Sequence, residues 1–160
     1  MRVYNLPKNE IDDIVELMGS QLGAKPAKKL KNVRVVEIEE DQRIIVYGES
    51  KIAQFDNILA PFLGDANAIA ALPAVVVDPG AIKFVCNGAD VMRPGIVRID
   101  GDFAKGARVA VKESTHGKAI AVGEALLASN EMREAAKGAV VKNLHYVGDK
   151  LWEGFKQVNL

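Results

Sequence analysis

VVVDPGAIKFVCNGADVMRPGI, residues 75–96, is the turning point of the chain. It opens with a β-branched run, AVVVD over 74–78, that reads as a short buried strand. Asn87-Gly88-Ala89 and Pro94-Gly95 then bracket a segment whose one basic residue is Arg93. Turn residues at this density allow positive φ and a sharp reversal, the ordinary task of a loop between two core elements. Glycine also lets a second backbone approach closely, and the amides that such a turn exposes attract phosphate. Spacing alone leaves both readings open, connector or ligand loop.

Before this stretch the pattern is mixed helix and strand. Asn9 can cap a helix with Glu10, Asp12 and Asp13 in its first turn, where negative charge is favoured. Ile11, Ile14, Val15, Met18 and Leu22 fall on one face, and Gly19 and Gly23 mark the end. The connector AKPAKKLKN is basic, and a run of this kind most often forms a solvated face. VRVVEI (33–38) and RIIVY (43–47) read as strands joined by the polar turn EEDQ. The spacing of Ile52, Phe55, Leu59 and Phe62 predicts a second helix ending near Pro61 and Gly64.

After Pro73 strands dominate. ARVAVKE (107–113) and KAIAVGEAL (118–126) predict a hairpin across STHG, and AVVKNLHYV (139–147) a further strand. Ser129 or Asn130 can cap a short helix, NEMREAAK, with Gly138 at its end. Asp149 caps a closing helix whose Trp152 and Phe155 should cover the core. The expected class is α+β: a small α+β unit over 1–74, then a compact β barrel with short helices over 75–160.

The 160 residues are 49% hydrophobic and 26% charged, enough for a buried core and ordinary for a folded chain. Basic and acidic side chains balance at 21 each, so any nucleic-acid contact must be a local patch rather than a global field. The first 74 residues carry a net charge of −2 and the remainder +2, a slight asymmetry that favours the second half as the anion-facing one. The single cysteine, Cys86, excludes an internal disulfide and suits a reducing compartment. With no signal-peptide core and no membrane-length apolar run, a cytoplasmic protein with no membrane partner is expected.

Catalysis finds little support. Cys86, His116, His145 and Asp149 supply the types for a thiol nucleophile and its base. Cys86, however, lies in the apolar run IKFVC, where a free cysteine behaves as a small core hydrophobe. One cysteine and two distant histidines do not make a zinc site, and the chain has neither a GK[ST] phosphate loop nor GxGxxG. The expectation is no enzyme activity, no metal and no cofactor. Tyr146 and His145 could stack on a base, though one of two alternating positions must face the core. His116, at a hairpin tip, reads as a solvated side chain.

The second half resembles a PUA domain, the module named for pseudouridine synthases and archaeosine transglycosylases. The resemblance is carried by VVVDPGAIKFVCNGADVMRPGI, KGARVAV, GKAIAVGEAL and KGAVVKNLHYVGDKLW in that order, spanning 75–152. With the preceding unit, the chain is similar to stand-alone archaeal proteins related to the malignant T-cell-amplified-sequence family, which join a pre-PUA to a PUA domain and work in translation with a density-regulated partner. The resemblance implies a pre-PUA domain over 1–74, a PUA pseudo-barrel over 75–160 and binding of structured RNA, tRNA or rRNA, with a ribosomal subunit or a translation-factor protein as possible partners. It also implies an RNA surface built from Gly88, Ala89, Met92, Arg93, Pro94 and Gly95, with Lys142, Asn143 and His145 beside them. The alternative function is an accessory subunit delivering RNA to a modification enzyme, such as a pseudouridine synthase or archaeosine transglycosylase.

Overall fold

A computed structural model describes residues 1–158 and contains two antiparallel-rich sheets. The first sheet is a simple meander of β1 (Arg2–Asn5), β2 (Arg34–Glu39), β3 (Gln42–Tyr47), β4 (Ser50–Phe55) and β5 (Ile58–Pro61), in that spatial order. Helix α1 (Lys8–Leu22) covers one face, burying Ile14 and Met18 against Val33, Val35, Ile45, Ile52 and Leu59. Alternation on β2 then sends Val36 to the opposite face, where it meets Ile44, Val46, Ala53, Phe62 and Leu151.

Several local expectations are corrected. Helix α1 starts one residue after Pro7, so Asn9 lies inside the helix and no side chain caps it. Its end is as expected, with Gly23 at φ +74°. The helix expected around Ile52–Phe62 is instead the β4–β5 hairpin, pairing Phe55 with Ile58 across a tight turn at Asp56, φ +54°. Both faces of β4 are covered, so Ile52, Ala53 and Gln54 are all buried and the period-two signal of a half-exposed strand is absent. Strand β1 and helix α2 (Ala66–Ala70), which Asp65 caps through the Ala68 N–H, are too short to carry a periodic pattern.

The second sheet has the order β7-β11-β10-β9-β6-β8 and curls around its own core. Its strands are β6 (Ala74–Val77), β7 (Val91–Met92), β8 (Ile96–Asp100), β9 (Arg108–Glu113), β10 (Ala119–Ala125) and β11 (Ala139–Tyr146). Only β6 and β9 run parallel; all other neighbours are antiparallel. The short helix α3 (Ile82–Val85) links β6 to β7. Helix α4 (Ser129–Glu134) is shorter than expected, and Ser129 does not cap it: its hydroxyl bonds the backbone of Phe103.

The closing helix α5 (Lys150–Phe155) is capped by Asp149, which accepts from the Trp152 N–H at 2.8 Å. It leaves the second sheet, however, and packs on the first. Leu151 is buried against Val36, Ile44 and Phe62, while Phe155 meets the Phe62 ring edge-on at 4.9 Å. Trp152, expected to seal the core of its own half, is only partly buried and tilts against Phe62. Arg108 makes a second joint between the sheets, donating to the Leu59 carbonyl at 2.8 Å and to Gln21 Oε1 at 3.0 Å. No helix among the described residues is long and apolar enough to cross a membrane.

Candidate nucleic-acid interface

The 78–95 segment folds into a shallow groove of about 510 Å3. One wall is the chain leaving β6, with Asp78, Gly80 and Phe84; the other is the return through Ala89, Met92, Pro94 and Gly95. Each turn has a local cause. Asp78 accepts from the Gly80 N–H at 2.8 Å and starts a short 3-10 turn at Pro79. Helix α3 ends in hydrogen bonds from Cys86, Asn87 and Gly88 N–H groups to carbonyls of the helix. Gly88 then takes φ +92°, where a Cβ would also meet Tyr146 at 3.4 Å. A second 3-10 turn, Arg93–Gly95, carries the chain into β8.

The groove displays apolar side chains to solvent. Phe84 is 58% exposed and Met92 50%. On α3, Ile82, Val85 and Cys86 pack on the core, and their i, i+3, i+4 spacing leaves Phe84 on the outer face. That spacing was the available signal for Phe84, which reading IKFVC as one apolar run concealed. The Lys83 ammonium lies 5.1 Å from the centre of the Phe84 ring, a cation–π distance. The core reading of Cys86 agrees with its packing, and burial pushes its thiol pKa up. His116 is exposed at its hairpin tip.

Of the residues expected at an RNA surface, Ala89, Met92, Pro94 and Gly95 line the groove, Gly88 is exposed at its end, and Lys142 is exposed on β11. Three others do different work. Arg93 Nε donates to the Met132 carbonyl at 2.7 Å, and its two terminal nitrogens donate to Ile96 and Arg133 carbonyls at 3.3 Å. The fork thus ties the groove wall to the end of α4. Asn143 Nδ2 donates to the Val85 and Ala89 carbonyls at 2.9 and 3.0 Å, and its N–H donates to Asp90, clasping the loop from beneath.

His145 is corrected outright as a surface contact, because its side chain is 0% exposed. Nδ1 shares a 2.7 Å hydrogen bond with Asp149, Nε2 accepts from the Leu63 N–H at 3.1 Å, and the ring stacks on Phe62 at 5.2 Å. An Nε2 that accepts carries no proton, so the bonded tautomer has its hydrogen on Nδ1. Burial alone would raise the Asp149 carboxyl, but the hydrogen bond from His145 and those from the Trp152 and Tyr146 N–H groups hold it below its ordinary value. The physical cause of the misreading is a β-bulge. The β10 register slips between Val122 and Gly123, so Val122 faces His145 and Gly123 faces Asn143, leaving Leu144 as the extra residue. Gly123 is required there, since a Cβ would stand 2.6 Å from the Lys142 carbonyl oxygen and against Val141. Beyond the bulge, the outer face of β11 meets the first sheet rather than solvent.

A model of the PUA domain matches residues 73–147. An uncharacterized protein of Methanocaldococcus jannaschii is 46% identical over 128 residues, covering 78% of this chain and 77% of the relative. Translation machinery-associated protein 20 of Schizosaccharomyces pombe is 31% identical over 132 residues, which cover 77% of this chain and 73% of that protein. The crystal structure of a hypothetical protein from Pyrococcus horikoshii superposes with a TM-score of 0.72 at 29% identity, over 95% of this chain and 98% of the other. By these likenesses the chain belongs to the family of PUA-domain proteins that includes translation machinery-associated protein 20 and the malignant T-cell-amplified-sequence proteins.

Proposed function

We propose that this chain is a non-catalytic RNA-binding protein of the translation apparatus, and that structured RNA, tRNA or rRNA, enters the groove between Phe84 and Met92. The division of labour follows the break at Pro73: residues 75–160 act as the PUA unit that meets RNA, and residues 1–74 as the pre-PUA unit. The observation that carries the reading is two large apolar side chains held in solvent beside open backbone at Gly88, Ala89 and Gly95. Base faces stack on such side chains, and glycine lets sugar and phosphate come close. Lys142 and Lys83 supply the neighbouring positive charge. Arg93 and Asn143 shape the groove from behind, and His145 holds β11 in place. The names of the relatives support a partner in the translation machinery, a ribosomal subunit or a factor protein.

Ultraviolet crosslinking to a full-length tRNA and to purified small-subunit rRNA, with peptide mapping, tests this. Adducts on residues 84–95 and 142 are expected. Wild-type protein that retains neither RNA, or whose adducts all lie elsewhere, overturns the reading.

A further inference from the structure

The chain has no net charge, yet the first sheet carries charge segregated to its two ends. From Ala24 to Arg34 the sequence holds Lys25, Lys28, Lys29, Lys31 and Arg34 and no carboxylate. Among the described residues only Lys25 of these has an ion-pair partner, Glu16 at 2.8 Å. Lys29 and Lys31 converge with Lys8 on a depression of about 260 Å3 with Ile11 and Leu30 in its lining, and Asp12 is the one carboxylate there. Strand β2 leaves this region at Arg34 and reaches Glu39 roughly 17 Å further on, at ~3.3 Å per residue. At that far end Glu37, Glu40, Asp41 and Asp56 surround a second depression, with Arg43 and Gln54 also in its lining, so four carboxylates face one cation there. Arg2 and Lys150 offset part of this charge through Glu37 and Glu39, at 2.9 and 3.4 Å. Zero net charge therefore conceals a dipole along the sheet.

We infer that the Lys28–Lys31 end of the first sheet is a second RNA-contacting surface, which grips phosphates of an RNA already seated in the PUA groove. The inference rests on the proposed RNA binding. Lysines are point charges on flexible stems, suited to phosphate positioning rather than base reading. A membrane is the poorer partner, because Ile11 and Leu30 are half-buried and the lysines have no exposed apolar face beside them. The surface shares no lining residue with the groove and belongs to the other sheet's side of the molecule. Gln21 near the end of α1 touches Arg108 of the second sheet, whereas Lys8 and Ile11 lie about 15–20 Å back along the helix at ~1.5 Å per residue. An RNA that fills only the groove does not reach them. The carboxylates at the opposite end repel phosphate and so fix the orientation in which a long RNA lies on the protein.

A triple variant, Lys28→Ala, Lys29→Ala and Lys31→Ala, tests this in salt titrations with a full-length tRNA and a short hairpin. The three side chains are exposed, so the melting temperature should not move. On the tRNA the slope of log affinity against log salt should flatten by about two to three, at ~0.7–0.9 per phosphate lost. Affinity at low salt should fall at least tenfold on the tRNA and stay unchanged on the hairpin. A Glu40→Gln, Asp41→Asn control should bind tRNA as well as wild type or better. Wild-type tRNA affinity and slope in the triple variant overturn the inference while leaving the groove reading intact. So does a loss confined to vesicles rich in phosphatidylserine. Wild-type protein that binds neither RNA overturns both readings together.

Discussion

The groove wall and strand β11 invert the usual partition of side chains, in opposite directions. The wall holds Phe84 and Met92 in solvent, while the strand hides His145 and keeps Asn143 tied to carbonyls. Apolar side chains are abundant on ordinary surfaces, so neither exposure is informative alone. What matters is that the donors of Arg93, Asn143 and His145 are spent on internal partners, whereas Phe84 and Met92 are left open. In this region the polar residues build the shape and the apolar residues are left to meet whatever fills it. Substitutions at the two sets should therefore separate stability from binding.

The largest stability loss is expected at His145. Removing the ring leaves the partly buried Leu63 N–H without its acceptor, opens a cavity against Phe62 and takes one partner from Asp149. His145→Ala should cost about 3–5 kcal/mol, measured by urea unfolding. Acid should act on the same pair. Asp149 is held below its ordinary value, so the unfolded chain binds that proton more readily than the folded one. Its stabilisation is complete above the ordinary carboxylate value, about 4, and is lost as pH falls from there through the lower folded value. Melting curves of wild type and Asp149→Asn should converge over that interval. Curves that stay parallel would remove Asp149 from the argument.

Arg93 ranks next. Arg93→Ala unlinks the groove wall from α4, losing hydrogen bonds to the carbonyls of Met132, Arg133 and Ile96. A loss of about 1–3 kcal/mol is expected, with weakened RNA binding as a consequence of the loosened wall. Arg93→Lys cannot reproduce the fork and should recover little of it. A variant that melts at the wild-type temperature but binds RNA poorly would instead make Arg93 a direct contact.

Gly88 tests the loop backbone. Gly88→Ala places a Cβ at φ +92°, outside the regions open to most side chains, and brings it to Tyr146. A cost of about 1–2 kcal/mol is expected, on the scale of left-handed strain in other residues. No change in melting would show that the loop relaxes freely, and the groove would then not be preformed.

How much of this was legible depended on how many faces an element buries. Strands β2, β3, β9 and β10 announced themselves through β-branched runs and turn residues, and Asp149 announced α5 as a cap. The β4–β5 hairpin did not, because Ala53 and Gln54 are as buried as Ile52 and no alternation survives. The glycines and prolines of 88–95 marked the positive φ at Gly88 and the turn at Arg93–Gly95, since turns depend on local sequence. The roles of Arg93 and His145 were not readable, because their partners lie 39 and 82 residues away, at Met132 and Leu63. A bulge at Gly123 and the docking of a second sheet are tertiary facts, and they decided where His145 points.

The smallest effect on the fold is expected where the effect on binding is most direct. Phe84 lies on the outer face of α3, 58% exposed, with the Lys83 ammonium 5.1 Å from the centre of its ring. Phe84→Ala therefore leaves no cavity and no unpaired polar group, and stability should change by less than about 0.5 kcal/mol. If a base stacks on the ring, RNA binding should weaken by roughly 1–3 kcal/mol, about five- to more than a hundredfold, with little change in salt slope because no phosphate contact is lost. Phe84→Tyr should keep most of the affinity, since the face that stacks is retained. That combination distinguishes stacking from a charge effect transmitted through Lys83, which Lys83→Ala would reveal as a slope reduced by about one ion. Phe84→Ala protein that melts normally and binds tRNA at wild-type affinity would remove the ring from the interface. The groove's exposed apolar surface would then need a partner other than RNA.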